Sequence, residues 1–355
     1  MIDFRYHLVS LVAVFIALAV GIVLGAGPLR EGISDTIDEE VGQLRTERTE
    51  LRSELDVRAR QAEAKDEAVD LLSPRGVAGT LNGTRVALVV LPGADRNHVA
   101  LLEDRVAEAG GALVLEVEVE DSFDTAQVDE GLVERLATTL EVPEVRGVDE
   151  AGPGVLLGAT LAGADPEGDV GAWLAAAERL EDEGLLDLRW QGPAAQVTDR
   201  RPPDVMIVVG GGLPEAADDE AQPEVDARLS TRLDLVRTLA ALDQPLVVGA
   251  AGTESEALAE GGGEDALVQA IRDDGGLRDD VSTVDDLESA SGRAAAVLGL
   301  AWELQEEAGH YGLGRQAEAP VPAPPPLRLG TTSGTDAQPP ADGPVPDDAE
   351  TTSVP

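Results

Sequence analysis

A chain of 355 residues with 69 Asp and Glu against 26 Lys and Arg carries a formal net charge of -43 at pH 7. So negative a surface repels nucleic acid and anionic lipid headgroups, which argues against a phosphate-reading role. With no cysteine, two methionines and three histidines, the chain forms no disulfide and no thiolate metal site, and offers little to the soft ion Cu(I).

Residues Leu8 to Gly27, LVSLVAVFIALAVGIVLGAG, form an apolar run without a charge. As one helix it rises about 30 Å, enough to cross the hydrocarbon core of a bilayer. This predicts a membrane anchor within residues 1–29, touching lipid through residues 8–27. A cleaved signal peptide is the competing reading, and it stays open here. Its apolar core is normally about 7 to 15 residues behind a basic start, with small residues before the cut. Here the core is longer, Arg5 is the only fully charged basic side chain before it, and Pro28 would sit just past a cut at Gly25-x-Gly27. Arginines near the two ends are almost tied, Arg5 against Arg30 and Arg45. The added α-amino charge and the short leader favour a cytoplasmic N-terminus and an extracytoplasmic body. Ala13, Ala17, Gly21 and Gly25 share one face, a spacing found in paired membrane helices and also in any Ala-rich anchor.

From Ile37 to Leu72 the chain keeps alternating steps of four and three. One register holds Ile37, Leu44, Leu51, Arg58, Lys65 and Leu72; the other holds Val41, Arg48, Leu55, Ala62 and Val69. These positions line one seam of a helix, predicting a coiled-coil stalk over 33–72 that would make the protein a homodimer or higher homo-oligomer. Its basic seam positions make a weak zipper, supported by the membrane anchor's effective concentration. A single solvated helix is the alternative. Ser73-Pro74 and Gly76 are expected to end it.

Residues 84–315 read as one α/β domain or two closely joined halves. Thr84–Leu91 is a strand, Asn97–Glu108 a helix, and Ala112–Val119 a second strand. The pattern returns with a strand at Asp204–Gly212, a helix at Pro223–Leu242 and a strand from Pro245. A weaker strand follows at Leu277–Val284, then a last helix at Gly292–Glu307. Apolar strands alternating with amphipathic helices predict a mostly parallel sheet covered on both faces, of Rossmann or flavodoxin-like type. Residues 316–355 turn to Pro, Gly, Thr, Asp and Ala, a composition expected to stay disordered.

Chemistry is sparse. Gly210-Gly211-Gly212 lies where open α/β sheets often bind ligands, but neither a GxGxxG nor a P-loop pattern is present, and a tight strand exit accounts for it as well as for Gly249 and Gly252. His7 stands at the membrane edge, and His98 opens a helix as an exposed or locally bonded side chain. His310 follows the last helix, where it could sit at the negative end. No GxSxG or HExxH occurs. Ser282 would need a histidine brought by the fold, and a cluster of Asp285 with His98 or His310 would revive an enzyme reading. Asp285 and Asp286 could bind a cation or cap the last helix. Met206 reads as core. No catalytic or cofactor-binding residue is assigned, and the metal ligands are unknown.

The opening MIDFRYHLVSLVAVFIALAVGIVLG, Met1 to Gly25, resembles the start of the actinobacterial cell-envelope family typified by the mycobacterial copper transport protein B. STVDD at Ser282–Asp286, GRAAAVLGL at Gly292–Leu300 and GHYG at Gly309–Gly312 resemble it too, so the likeness runs from Met1 to about Gly314. It implies copper transport or homeostasis in the envelope, with copper as a partner on that ground only, and carries no catalytic or copper-ligand motif. One helix encloses no pore, so a channel would need several chains. The residues themselves point to a non-enzymatic, single-pass, envelope-facing scaffold or regulatory protein that self-associates and binds an envelope protein.

Overall fold

The computed structural model describes residues 4–26, 29–124, 131, 152–163, 170–213, 221–250 and 266–326. Expectations placed on Met1, Gly27, Pro28, Gly252 and the tail beyond 326 lie outside these residues, as do those on the side chains of Gly25, Arg30 and Ile37. The chain divides into two units, residues 1–73 with 289–291, and the remainder.

The first unit is helical. Helix α1, Phe4–Ala26, contains the stretch Phe4–Val23, which is long and apolar enough to cross a membrane, with a mean hydropathy of 2.4 and none of its residues buried within the protein. Helix α2, Leu29–Val77, runs for 49 residues. It does not stop at Ser73-Pro74, as the sequence suggests. A proline at this point removes the N–H that would bond the carbonyl of Asp70. The Ser73 hydroxyl reaches back to Val69 O at 2.8 Å and Asp70 O at 3.3 Å, so the last turn continues to Val77. There Gly79, at φ +80°, takes the left-handed backbone that ends helices.

The second unit is a seven-stranded, mostly parallel sheet with helices on both faces. In chain order it contains β1 (Arg85–Val90), α3 (Arg96–Glu108), β2 (Ala112–Val119), α4 (Asp121–Asp124), α5 (Pro153–Ala162), α6 (Val170–Asp182), β3 (Leu186–Trp190), β4 (Val205–Gly210), α7 (Gln222–Ala241), β5 (Leu246–Ala250), α8 (Ala266–Asp273), β6 (Ser282–Val284), α9 (Ala290–Glu303) and β7 (His310–Tyr311). The strand order is β3-β2-β1-β4-β5-β6-β7. Among these described strands only β3 is antiparallel to its neighbour. Its direction follows from the connection. An excursion that includes α5 and α6 returns the chain to the end of β2 that it left, so Leu186 pairs with Val119 and β3 runs back down.

Side chains alternate across the central strands, as a pleat requires. Val86, Leu88 and Val90 join α3 and α9 in one core; Ala87, Val89 and Leu91 join α4, α5, α7 and α8 in the other. Every residue of β4 and β5 is buried, which explains the near-continuous apolar runs in the sequence. Met206 is fully buried, as its neighbours suggest. At the β3 edge, ion pairs stand beside β2: Glu116 accepts from Arg96 at 2.6 Å and Arg189 at 3.1 Å, and Glu118 from Arg189 at 2.6 Å.

The ordered chain passes the expected boundary at Gln316. Glu318 N bonds His310 O at 2.8 Å, Gly312 N bonds Ala319 O at 3.0 Å, and Trp302 Nε1 bonds Ala323 O at 2.8 Å. Val321 packs on the core and Pro325 is buried. A proline-rich segment follows the sheet edge because backbone pairing there needs few apolar side chains.

Candidate functional site

Among the described residues of the second unit, three places could hold chemistry: the ends of β1 and β4, where successive connections diverge, the β6–β7 corner, and an open groove below β5 and β6.

Ligands of open α/β sheets bind at the carboxyl ends of strands where the order reverses. Among the described residues, a side chain occupies that crevice. Arg232 projects from the apolar face of α7, with Leu235, Val236 and Leu239 in the turns that follow, and its side chain is 2% exposed. Its Nε donates to Asp124 Oδ2 at 2.9 Å, while the second guanidinium nitrogen pairs with the same oxygen. The remaining donors reach Gly211 O at 2.7 Å and Pro92 O at 3.1 Å. The guanidinium therefore ties together the two loops that would otherwise frame a ligand. A Cβ added at Gly211 would collide with Pro92 O, Gly93 and Ala94 N, and one at Gly249 would enter Leu287. The glycines serve close packing of backbone and side chains, with no phosphate cradle among the described residues.

The motifs STVDD and GHYG meet at the β6–β7 corner around Arg272. This arginine lies on the apolar side of α8 beside Val268 and Ile271, and its side chain is 1% exposed. It donates to Thr283 Oγ1 at 2.8 Å, Asp285 Oδ2 at 2.6 Å, Tyr311 O at 2.8 Å and Arg315 O at 3.0 Å. Asp285 also accepts from Leu313 N at 2.7 Å and Gly314 N at 2.9 Å. It does not cap α9: its carboxylate is engaged by the Arg272 head and by two N–H groups of the turn after β7.

His310 is buried in β7 rather than placed at the end of the last helix. Its Nδ1 lies 2.9 Å from Thr283 Oγ1, which already accepts from Arg272. The buried ring and the hydroxyl share one hydrogen bond, whose donor is set by the tautomer of the imidazole. Burial, with the Arg272 charge second, lowers its pKa below the usual histidine value. Burial likewise pushes the Tyr311 hydroxyl up to about 12. Asp285 and His310 do share a cluster, but Arg272 and Thr283 stand between them. Ser282 Oγ accepts from Gly309 N at 3.0 Å instead of facing the ring. These bonds fasten a strand, and the hydroxyl–imidazole pair among them, Thr283 with His310, is buried at 0% and 1% exposed.

The groove has a volume of about 630 Å³ and is lined in part by Asp243, Gln244, Asp279, Asp280, Glu303 and Glu306. Glu303 is 8% exposed, and its Oε1 accepts from Ser282 N at 2.7 Å, fastening α9 to the start of β6. Burial raises its pKa to about 7; Asp280 adds to the rise and bonds from Ser282 oppose it. His98 is half-buried, its ring neither exposed nor hydrogen-bonded to a neighbour as expected, with Nε2 4.0 Å from the carboxylate of Asp95 at the same helix start. Among the described residues, no three His, Cys, Asp or Glu side chains gather as a metal site. With Met206 in the core and His310 bonded inside the sheet, the donors described do not fit a sulfur or imidazole site for Cu(I).

The profile of the family described as "Copper transport outer membrane protein, MctB" matches residues 1–322, from the apolar helix through the β7 corner. The chain belongs to the MctB family. It is 29% identical over 332 residues to "Copper transporter MctB" of Mycobacterium tuberculosis (strain ATCC 25618 / H37Rv), covering 89% of this chain and 98% of that one. The Mycobacterium leprae (strain TN) protein of the same name is 28% identical over 339 residues, with the same coverage. In this MctB-family chain the motifs STVDD, GRAAAVLGL and GHYG meet at one corner. A Cβ at Gly309 would strike the Tyr311 ring, one at Gly312 the Asp285 carboxylate, and one at Gly292 the Asp286 backbone.

Arg232, Asp124, Arg272 and Glu303 escape a motif search because their partners are distant in sequence. An arginine set in an apolar helical stripe, as in STRLDLV and LVQAIRD, is the signal that could have marked two of them.

Proposed function

We propose that this chain is a single-pass, envelope-facing scaffold that serves the copper transport or homeostasis role of its family as part of an assembly, without forming the conducting pore itself. The observation that carries this reading is the match over residues 1–322, which takes in anchor, long helix and head together with proteins named copper transporters. The sheet is open, with β3 and β7 at its edges, and one spanning helix encloses no channel. The role is non-enzymatic. The N-terminus lies in the cytoplasm, α2 forms a coiled-coil stalk with another copy, and the Rossmann-type head stands outside the membrane and engages an envelope protein. The order β3-β2-β1-β4-β5-β6 supports that fold type, with β3 reversed.

The test compares cells with and without the chain for copper content and for growth in graded copper, with complementation by the full-length protein. Altered copper handling restored by complementation is expected; unchanged handling overturns the copper reading. Purified protein in liposomes should pass no copper by itself, and flux through it would overturn the scaffold reading.

A further inference from the structure

We propose that α2 zips in parallel and in register with the α2 of a second copy over residues 40–58, held by interchain Glu40–Arg45 and Glu47–Arg52 pairs, and that this zipper ends near Arg58. The inference rests on the anchored, self-associating reading above and specifies its geometry. Leu44, Leu51 and Leu55 are 59%, 53% and 63% exposed. They occupy seam positions with Val41, so an apolar stripe of the helix lies uncovered in the single chain. A coiled coil reads its flanks as well as its seam. With Val41, Arg48 and Leu55 at position a and Leu44, Leu51 and Arg58 at d, position g holds Glu40, Glu47 and Glu54. Position e holds Arg45 and Arg52.

In a parallel pair, each g residue faces the e residue five places later on the other chain. Glu40 then meets Arg45 and Glu47 meets Arg52, in both directions. An antiparallel pair sets g against g and e against e, opposing Glu to Glu and Arg to Arg. A slip of one heptad brings Glu54 against Asp66. The flanking charges therefore select the parallel orientation and favour this register over a one-heptad slip, against the Arg48–Arg48 contact it makes in the seam, and anchors in a common bilayer favour the same alignment.

Between Arg58 and Lys65 both signals lapse, and the apolar seam that returns at Val69 and Leu72 has no complementary flanks. Arg58 is tied within its own helix to Glu54 at 2.7 Å, Lys65 takes the next d position, and Ala59, Gln61 and Asp66 replace the complementary flanks. About 19 paired residues, close to 28 Å of helix, are too few for a strong free zipper. The anchors raise the effective concentration that such a short one needs.

The natural absence of cysteine makes the test direct. Full-length protein in lipid vesicles carries one cysteine at the seam (Leu51→Cys), on the outer face (Ser53→Cys) or at the distal seam (Lys65→Cys), and is oxidised. Leu51→Cys should crosslink to a dimer well above the other two. Adding Glu47→Arg or Arg52→Glu should each weaken pairing on the order of tenfold, and combining them should restore it. Equal crosslinking at Ser53, or a double reversal that stays as weak as the singles, overturns the in-register pairing. Crosslinking at Lys65 equal to that at Leu51 overturns its ending. Retention of each variant in washed vesicles is scored separately: retained protein without a seam crosslink sinks the zipper alone, whereas released protein sinks the anchor beneath it.

Discussion

Asp285→Asn should unfasten the β6–β7 corner. The substitution keeps the side chain's shape and removes its charge while Arg272 stays buried; the two side chains are 5% and 1% exposed. Asp285 accepts from Arg272 and Gly314 N through one oxygen and from Leu313 N through the other. An amide can present one oxygen only. In its better orientation it keeps Arg272 and Gly314 but turns an NH2 toward Leu313 N. The loss combines the weakening of a charged hydrogen bond, about 1.5–3 kcal/mol, with an unsatisfied backbone donor, about 1–3 kcal/mol. A total of about 3 kcal/mol agrees with the low end of values for broken buried pairs, and should lower the melting temperature by roughly 6–12 °C for a domain of this size. Trp173, Trp190 and Trp302 all lie in the second unit, so tryptophan fluorescence of the full-length protein in detergent micelles follows that unit's unfolding by urea. A loss below about 1 kcal/mol with an unchanged urea slope would mean that the pair acts like an exposed surface bridge, refuting the corner as a structural clasp.

Further outcomes follow from the same unfolding measurement. Arg232→Met leaves Asp124, 1% exposed, without its counter-ion and should cost about 3–5 kcal/mol; a loss under about 1 kcal/mol would show the crevice is not held by this pair. The buried Glu303 has a pKa of about 7 against 4.5 in the unfolded chain, so the native state binds the extra proton between these values and stability falls as pH rises through them. Glu303→Gln does not titrate, and its stability relative to the natural chain should climb by roughly 2–3 kcal/mol from pH 4.5 to 7 and then level off; a constant difference contradicts this. Gly211→Ala, whose methyl meets the backbone of residues 92–94, should destabilise by more than about 2 kcal/mol. Gly76→Ala, with nothing within 4 Å, should instead stabilise by about 0.5–1 kcal/mol as a helical glycine is removed. Equal effects at the two glycines would discard the close-approach argument.

The acidic groove and the closed crevice bear differently on function. The groove gathers carboxylates at the opposite end of the sheet from the strand ends where such folds bind ligands. Arg232 and the glycines bring together the loops that a nucleotide or flavin would separate.

Local pattern determined much of this protein. The apolar run that becomes α1 needs only its length and lack of charge to be legible, and Ala112–Val119 coincides with β2 because a buried strand is continuous in apolar residues. The α3 and α7 spans agree to within a residue, since Asp95 bonds Asn97 N at 2.7 Å and Pro223 lies in the first turn of α7, both local devices. Tertiary structure alone decided the rest. The reversed β3, the two-residue β7 and the ordered stretch through Pro326 are too short or too polar to announce themselves and are held by pairing with distant strands. Helix α2 outlasts its proline because a serine hydroxyl reaches carbonyls in the preceding turn. Arg232 and Arg272 find their roles through Asp124, 108 residues away, and Asp285, 13 residues away. A periodicity records which face of an element is buried; only the folded chain places an opposite charge beside an arginine on that face.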